Sequence, residues 1–273
     1  MSKKLSIIIP TLGNRLLLDK VVDSIKLYYP SFFEVLIINQ GEALNQVFSM
    51  KILVHNVEFK GLSKAKNYGA SLASGDYILF LDDDAELVKQ SVIKINKSLS
   101  SNYDVIFGKT VDRKLIDTVK KFSSISTDLS LKNYTDKFIE STMIVKSSLI
   151  NKIKFDESFG AGCFYGAEEG RDWVIRILKL GSYKLYYDHE FLVYHPSVLI
   201  DKHSIKSIKR VISYRLGYGA LCKKHKLFTE LIYRLIIVIL ATILYFPFKR
   251  KTSKYYSIEF SSIILGFKTW SKT

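Results

Sequence analysis

Residues 77–84 join a buried-strand pattern to three consecutive carboxylates, and this combination restricts the fold of the chain more than any other segment. Residues 77–81 are a continuous apolar run, as expected of a strand covered on both faces. Asp82, Asp83 and Asp84 follow at once. Because open α/β sheets bind ligands just beyond the carboxyl ends of their strands, the pattern predicts a functional site at this strand end.

Three adjacent carboxylates repel one another and therefore need a counter-charge. Mg²⁺ or Mn²⁺ could supply it, since these cations are usually held by one or two carboxylates together with substrate phosphates. The alternative is a solvated acidic turn. The position directly after a buried strand favours the metal site.

The rest of the first 200 residues alternates between strand and helix patterns, which predicts an α/β fold with a mostly parallel, Rossmann-like sheet flanked by helices. The first helix is expected to end before Pro30. Strands are predicted at residues 5–9, 34–38, 77–81, 103–107, 142–145, 183–187 and 191–194, and helices at 18–29, 63–73, 88–99 and 172–180.

No phosphate-binding P-loop motif is present, and the glycine-rich segment 160–166 lacks the spacing of a dinucleotide-binding loop. The chain does contain an ordered set of motifs around the acidic strand end. They are SIIIPTLGN at 6–14, NQG at 39–41, GLSKAKNYG at 61–69, YGAEEGRDW at 165–173 and VYHP at 193–196. This succession resembles the family 2 glycosyltransferases, which are inverting, nucleotide-sugar-dependent enzymes of GT-A fold. The resemblance covers about residues 5–225.

The resemblance implies roles for the residues that match the donor-binding motifs. Pro10 and Thr11 would lie where the first strand meets the nucleoside. Asn39 stands where the family usually carries an Asp that contacts the base, and this departure leaves the nucleotide open, with a UDP-sugar favoured. Lys66 and Asn67 match a stretch near the donor, with Lys66 in place of the usual Arg.

The resemblance also implies a metal site. Asp82 and Asp84 match the family's D-x-D motif, with Asp84 as the direct ligand and Asp82 also facing the ribose or sugar. Asp83, between them, is assigned to the donor site. His195 resembles a histidine that some members use as an additional metal or diphosphate ligand, although a structural histidine is the alternative. The implied cofactor is Mg²⁺ or Mn²⁺.

The general base is expected in the segment before the helix at 172–180. Glu169 is the first candidate and Glu168 the second, while Asp172 is the third and is expected mainly to start and orient the helix. An isolated Glu-Glu pair could equally be a solvated helix N-terminus. The aromatic residues of 159–165 and Trp173 could line an acceptor site or pack in the core.

The C-terminal part is strongly basic, with fifteen of the 41 lysines and arginines but only three of the 26 acidic residues in 201–273. Within it, residues 235–248 carry no charge, and the run is shorter than the roughly 20 residues of a spanning helix. Basic residues flank both ends of the run, namely Lys223, Lys224, Lys226, Lys249, Arg250 and Lys251. A helix lying in the cytoplasmic leaflet would place both flanks on anionic headgroups, and packing on the catalytic domain is the alternative.

These observations predict a GT-A domain at 1–225 and a membrane-associating helical extension at 226–273. The predicted enzyme moves a sugar from a nucleoside-diphosphate sugar to a hydroxyl of a glycan or lipid-linked acceptor in cell-surface polysaccharide synthesis. It would act at the cytoplasmic face of an anionic membrane, as a peripheral or monotopic protein, and not on nucleic acid. The alternatives are a sugar nucleotidyltransferase and an inactive membrane- or polyanion-binding module. Two cysteines without zinc or disulfide spacing favour a reducing compartment.

Overall fold

The structure is a computed structural model that describes residues 3–29, 33–45, 51–197 and 204–271. Pro30 lies outside these ranges. The chain forms two compact units, the first made of residues up to 60, 64–155 and 173–198, and the second of 61–63, 156–172 and the chain from 199 onward. The boundary predicted after residue 225 stays a prediction.

One half of the sheet in the first unit is parallel. Its strands are β1 (Leu5–Thr11), β2 (Glu34–Asn39), β3 (Ile52–Asn56) and β4 (Tyr77–Phe80), in the order β3-β2-β1-β4. The apolar side chains of β1, β2 and β4 are buried, as continuous apolar runs predict. Thr11 pairs with Asn39, and Asn39 pairs with Asn56, so polar residues of three strands end at one edge of the sheet.

The other half of the sheet is largely antiparallel. It contains β5 (Glu86–Leu87), β6 (Val105–Val111), β7 (Thr127–Asp128), β8 (Ile144–Lys146) and β9 (Leu185–Tyr194). β8 lies antiparallel between β4 and β6, β9 runs parallel to β6, and β5 and β7 pair antiparallel with β9. The sheet is therefore mixed, and the predicted α/β fold with a helix-flanked sheet is confirmed.

β9 is one strand where the sequence predicted two. The polar residues 188–190 interrupt the apolar pattern, but they have polar partners that let the strand continue. Lys94 lies 3.4 Å from the carboxylate of Asp188 and 2.5 Å from that of Glu190. The register with β6 shifts beside Gly108, where a Cβ would lie 2.2 Å from the carbonyl oxygen of Phe191. The irregularity is therefore a bulge that only glycine can occupy without displacing backbone.

The predicted helices of the first 200 residues are confirmed to within a few residues. They are α1 (Arg15–Tyr28), α2 (Leu62–Leu72), α3 (Lys89–Leu99) and α5 (Glu169–Leu180), and the structure adds a short α4 (Ser147–Lys152). Asn14 caps α1 by accepting a hydrogen bond from the Leu17 amide. The apolar face of α1, including Leu18, Val21 and Ile25, packs in the same core cluster as β1, β2 and β4.

Three helices dominate the second unit, namely α6 (Ile205–His225), α7 (Phe228–Tyr245) and α8 (Arg250–Thr269). Each of the two helices α6 and α8 has a glycine at the point where they cross. A Cβ on Gly219 would lie 2.1 Å from the carbonyl oxygen of Ile263, and one on Gly266 would lie 2.0 Å from that of Leu216. The two backbones are thus in direct contact, and the predicted C-terminal helical extension is confirmed.

α7 and α8 form an antiparallel helical hairpin. Ser253 donates a hydrogen bond of 2.8 Å to the carbonyl oxygen of Thr242, and the rings of Tyr245 and Tyr256 stack at 5.8 Å. α7 is longer than the uncharged run that predicted it, because it begins before Arg234. By length and composition it is the one helix among the described residues that could cross a membrane.

Candidate active site

The ends of β1 and β2 place the predicted nucleoside-binding residues at the carboxyl edge of the sheet. Pro10 and Thr11 are the last residues of β1, and both are buried. The hydroxyl of Thr11 donates a 2.5 Å hydrogen bond to the Asp83 carboxylate and accepts one of 3.0 Å from the Gly13 amide. Thr11 therefore ties the loop after β1 to the acidic loop after β4.

Asn39 is fully buried, and its side-chain amide holds the loop after β2. Its Nδ2 donates to the carbonyl oxygen of Glu42 at 2.6 Å and to the side-chain oxygen of Asn56 at 2.7 Å. Its Oδ1 accepts from the Gly41 amide at 3.0 Å. An Asp at this position could not donate to the Glu42 carbonyl. The Asn that stands here in place of the family's usual Asp therefore supplies a hydrogen bond that holds the loop.

α2 brings Lys66 and Asn67 to the predicted donor side. Lys66 is buried, with its ammonium 5.4 Å from the centre of the Phe155 ring, and its charge acts on Asp82. The amide of Asn67 makes two reciprocal bonds to the backbone of Phe155, at 3.0 and 2.9 Å. Lys66 is thus a cation beside the acidic cluster. Asn67 holds the backbone of Phe155, whose ring lies next to the Lys66 ammonium.

Asp82, Asp84 and His195 lie together at the ends of β4 and β9. Each offers one ligand atom, and these atoms lie within 4.8 Å of one another. Nε2 of His195 is 3.3 Å from Oδ1 of Asp84. The structure therefore brings together all three residues that the sequence predicted as metal ligands.

Burial and mutual repulsion disfavour the ionised forms of the carboxylates in this cluster. Burial raises the pKa of the Asp82 carboxyl, the charge of Lys66 opposes this only in part, and Asp84 adds to the rise. Burial also raises the pKa of Asp83, and the hydrogen bond from Thr11 offsets only part of it. A positive charge at this position would stabilise the ionised carboxylates.

The imidazole of His195 is oriented as a metal ligand requires. Its Nδ1 lies 2.8 Å from the carbonyl oxygen of Pro196, which can only accept a hydrogen bond, so Nδ1 carries the hydrogen. Nε2, facing Asp84, then keeps its lone pair in the neutral ring. Burial lowers the pKa of His195, but the hydrogen bond and charge of Asp84 outweigh this and raise it. Two carboxylate oxygens and one imidazole nitrogen fit a divalent cation such as Mn²⁺ or Mg²⁺.

The candidate bases belong to the second unit. Glu168 directly precedes α5 and has a φ of 76°, a left-handed conformation that a residue with a side chain adopts only at a cost of about 1–3 kcal/mol. Its carbonyl oxygen accepts the first helical hydrogen bond from the Asp172 amide at 2.8 Å. Strain of this kind is concentrated at functional sites, and here it sets the direction in which the chain enters α5.

Glu169 begins α5 and is only 7% exposed. A Cβ on Gly160 would lie 3.5 Å from the Glu169 carboxyl carbon and 2.8 Å from the Ser63 hydroxyl. Gly160 itself has a φ of 111°, which favours glycine. The backbone of Gly160 thus passes close to the Glu169 carboxyl, and any larger residue at 160 would crowd it.

Asp172 lies in a buried charge cluster that sequence reasoning missed. It is fully buried, 2.8 Å from Nε2 of His225 and 2.6 Å from Nζ of Lys224. Lys224 also pairs with Asp156 at 2.6 Å, and although burial raises the pKa of Asp156, this pairing lowers it overall. Asp172 thus fastens the start of α5 to the end of α6. Lys224 was predicted to face lipid headgroups, and this was wrong because these two carboxylates bind it.

Three of the four aromatic residues considered for an acceptor site pack in cores. Trp173 is fully buried, and its indole nitrogen donates to the carbonyl oxygen of Ile153 at 2.5 Å. Phe159 and Tyr165 pack against each other and against Trp270, with ring centres 5.1–5.5 Å apart. Core packing is therefore the alternative observed for Trp173, Phe159 and Tyr165, whereas Phe164 is 65% exposed and its part in an acceptor site stays a prediction.

Comparisons with known proteins bear on the family and the fold of this chain. The model of the family described as Glycosyl transferase family 2 matches residues 6–165. A GalNAc(5)-diNAcBac-PP-undecaprenol beta-1,3-glucosyltransferase of Campylobacter jejuni is 27% identical over 236 residues, which are 81% of this chain and 73% of the relative. The poly(ribitol-phosphate) beta-N-acetylglucosaminyltransferase TarP of Staphylococcus aureus is 29% identical over 119 residues, covering 39% of this chain and 36% of TarP.

The solved structures of S. aureus TarS share the fold. TarS 1–349 superposes with a TM-score of 0.59 at 14% identity, over 94% of this chain and 90% of that one. The same fragment in complex with UDP gives 0.57 at 13% identity, over 98% and 91%. At these identities the likeness concerns the fold alone.

Proposed function

Because the chain belongs to glycosyl transferase family 2, we propose that it transfers the sugar of a UDP-sugar to a hydroxyl of a lipid-linked glycan, with inversion at the anomeric carbon. The predicted family and the activity of a nucleotide-sugar-dependent glycosyltransferase are confirmed by the family match. Membership also decides against the nucleotidyltransferase that the sequence left open. The observation that carries the finer proposal is the cluster of Asp82, Asp84 and His195 at the carboxyl edge of the sheet.

A UDP-sugar is the donor that the comparisons favour. TarS, which shares the fold, has been solved with UDP. The carboxyl edge of β1, β2 and β4 is where open α/β sheets bind their ligands. There Pro10 and Thr11 would support the nucleoside, while Asn39 keeps the loop after β2 in place for it.

A divalent cation is the proposed cofactor. Asp84 and His195 would hold it, with Asp82 shared between the cation and the donor's ribose or sugar. When bound, the cation supplies positive charge to the diphosphate that leaves. Lys66, buried beside Asp82, adds a fixed positive charge on the same side.

Glu169 is the proposed general base. Its carboxylate takes the proton of the acceptor hydroxyl while that oxygen bonds to the anomeric carbon, and the bond from this carbon to the UDP oxygen breaks. A single displacement of this kind inverts the anomeric configuration. Glu169 is held at the start of a helix that Asp172 anchors, and its burial keeps bulk water away from the carboxylate that accepts the proton.

The acceptor class is proposed from the relatives. One relative acts, by its name, on an undecaprenol-diphosphate-linked glycan, and TarP acts on poly(ribitol-phosphate). We infer that this chain likewise extends a cell-surface glycan, at the cytoplasmic face of the membrane, as a peripheral or monotopic protein. The basic second unit with its apolar α7 supports this placement.

A donor panel tests the proposal. The purified full chain is incubated with Mn²⁺, an undecaprenyl-diphosphate-linked glycan in vesicles, and UDP-, GDP- or dTDP-sugars in turn. The expected result is transfer from one UDP-sugar, with a β-linked product from an α-linked donor. Transfer only from a GDP- or dTDP-sugar, or a product of retained configuration, would overturn the donor or the mechanism respectively.

A further inference from the structure

α7 presents a wide apolar face that nothing in the described chain covers. Eight large apolar side chains on it are 41–67% exposed, namely Phe228, Ile232, Tyr233, Ile236, Ile239, Leu240, Ile243 and Leu244. At 100° per residue these positions occupy nearly half of the helix circumference, and none of them is charged. The turn that follows adds Phe246 and Phe248, the latter 84% exposed. A continuous apolar surface of this length marks an interaction site.

The opposite side of α7 is fixed to protein by buried charges. Arg234 and Arg215 both pair with the carboxylate of Glu259, which is only 1% exposed and belongs to α8. At the start of α7, Glu230 forms a bidentate pair with Arg171, at 2.8 and 2.5 Å. Although burial raises the pKa of Glu230, Arg171 lowers it overall, so this carboxylate stays ionised. α7 therefore has one apolar face outward and one ionic face inward.

This arrangement argues against a membrane-spanning α7. Arg234 lies six residues into the helix, about 9 Å from its start at 1.5 Å per residue. A span would place this ion cluster inside the hydrocarbon region, together with α8, which runs antiparallel along α7 and carries Lys254 and Glu259. A helix lying in the plane of the interface keeps the cluster within protein and exposes only the apolar face to lipid.

The charge of the three helices identifies the partner. Residues 204–271 contain thirteen lysines and arginines but only two carboxylates, Glu230 and Glu259. Arginines neutralise both of them. The apolar face is flanked by the exposed Lys226 on one side and Lys249, Arg250 and Lys251 on the other. Such a surface repels a second copy of itself and attracts anionic headgroups.

We propose that α7 is an in-plane anchor whose outer face, centred on Ile236 and Ile243, inserts into the anionic leaflet of a bilayer. The inference rests on the proposed function, since a lipid-linked acceptor requires the site to work at that surface. The membrane-binding surface is thereby the outer face of α7, and the helix lies in the plane of the interface. The Arg234–Glu259–Arg215 cluster fixes that orientation by holding the inner face on α8 and α6.

Vesicle co-sedimentation of matched variants tests the anchor. The double variant Ile236→Glu, Ile243→Glu places two charges on the face, and the control Leu27→Glu, Ile93→Glu places two charges at positions of α1 and α3 that are at least as exposed. On phosphatidylcholine–phosphatidylglycerol vesicles the first variant should bind at least about tenfold more weakly than wild type, and the control should bind normally. Equal binding of all three proteins, or no binding of wild type, would overturn the proposal.

Depth measurements decide between an in-plane and a spanning helix. Ile232→Trp and Ile243→Trp are eleven residues apart, about 16 Å along the helix axis. Lipids brominated at a shallow acyl position should quench both added tryptophans equally, whereas unequal depth would overturn the in-plane anchor. A wild-type dimer that the Glu variant dissociates, without vesicle binding, would assign the face to a second copy and also overturn it.

The same samples separate this inference from the proposed function. UDP release from the donor in the absence of vesicles reads out the chemistry alone, and the Ile236→Glu, Ile243→Glu variant should retain it. Loss of vesicle binding with donor turnover intact is the result expected of an anchor. Normal vesicle binding by a wild-type protein that turns over no nucleotide sugar would instead overturn the proposed function and leave the anchor standing.

Discussion

Nε2 of His195 lies 3.3 Å from Oδ1 of Asp84, so a residue at the end of β9 completes the acidic cluster at the end of β4. β4 and β9 are not neighbours in the sheet, because β8 and β6 separate them. The loop after β4 reaches across this distance, since β5 pairs with the last residues of β9. The proposed metal site thus depends on the pairing of the two-residue strand β5.

The imidazole of His195 should give the proposed site a measurable preference for Mn²⁺ over Mg²⁺. Mg²⁺ is held almost entirely by oxygen ligands, whereas Mn²⁺ accepts imidazole more readily. We therefore expect Mn²⁺ to support faster sugar transfer than Mg²⁺ in the wild type. His195→Gln should weaken Mn²⁺ activation by about 10–100-fold. Metal titrations of the initial rate measure this, with His189→Gln as the control histidine, and an unchanged Mn²⁺ requirement in His195→Gln would assign His195 a structural role.

Glu169→Gln should reduce kcat by about 10²–10⁴-fold with little change in KM for the donor, because only proton acceptance is lost. The control is Glu168→Gln, which alters the neighbouring carboxyl and keeps the same backbone. Steady-state kinetics with varied donor separate the two parameters. If Glu168→Gln is the inactive variant and Glu169→Gln is not, the base is Glu168 and the displacement mechanism is unchanged.

Asp172→Asn should lower the free energy of unfolding by about 3 kcal/mol, because Lys224 and His225 would lose their buried counter-charge. Chemical denaturation followed by fluorescence measures the change. Asp156→Asn, at a more exposed carboxylate of the same cluster, should cost less. A fully stable but inactive Asp172→Asn would show that Asp172 takes part in the chemistry instead.

Gly266→Ala should destabilise the second unit, since the added methyl would meet the Leu216 backbone at 2.0 Å. Overpacking of this kind costs about 1–3 kcal/mol, whereas Gly→Ala in an exposed helix stabilises by about 1 kcal/mol. The sign of the change in thermal unfolding therefore reports whether α6 and α8 touch. Ser261→Ala on the exposed side of α8 serves as the control, and a stabilised Gly266→Ala would contradict the packing.

The sequence predicted β1, β2, β4 and the acidic loop because continuous apolar runs leave few alternatives to a buried strand. β3 was not predicted, since its short run of Leu53, Val54 and His55 is only partly buried and lacks that signal. His195 was identified only through the resemblance. The pairing of Asp172 with His225 was missed, because contacts between helices distant in sequence leave no local pattern.

The second unit shows the same limit. The apolar run at 235–248 predicted a helix, but its orientation depends on Arg234 and Glu259, which are 25 residues apart and meet only when α7 and α8 fold back. The glycines at the crossing of α6 and α8 carry no sequence signal beyond their identity. Local periodicity therefore identifies the helices, and the long-range ion pairs determine which faces are free.

The most direct test of the metal-dependent mechanism is sugar transfer by wild type and Asp84→Asn across a Mn²⁺ titration, after removal of metal with EDTA. This mechanism predicts that metal-free wild type is inactive and regains activity with Mn²⁺. Asp84→Asn should stay at least about 10³-fold slower at every Mn²⁺ concentration while unfolding at the wild-type temperature. Full activity of the wild type in EDTA, or of Asp84→Asn in Mn²⁺, would contradict it.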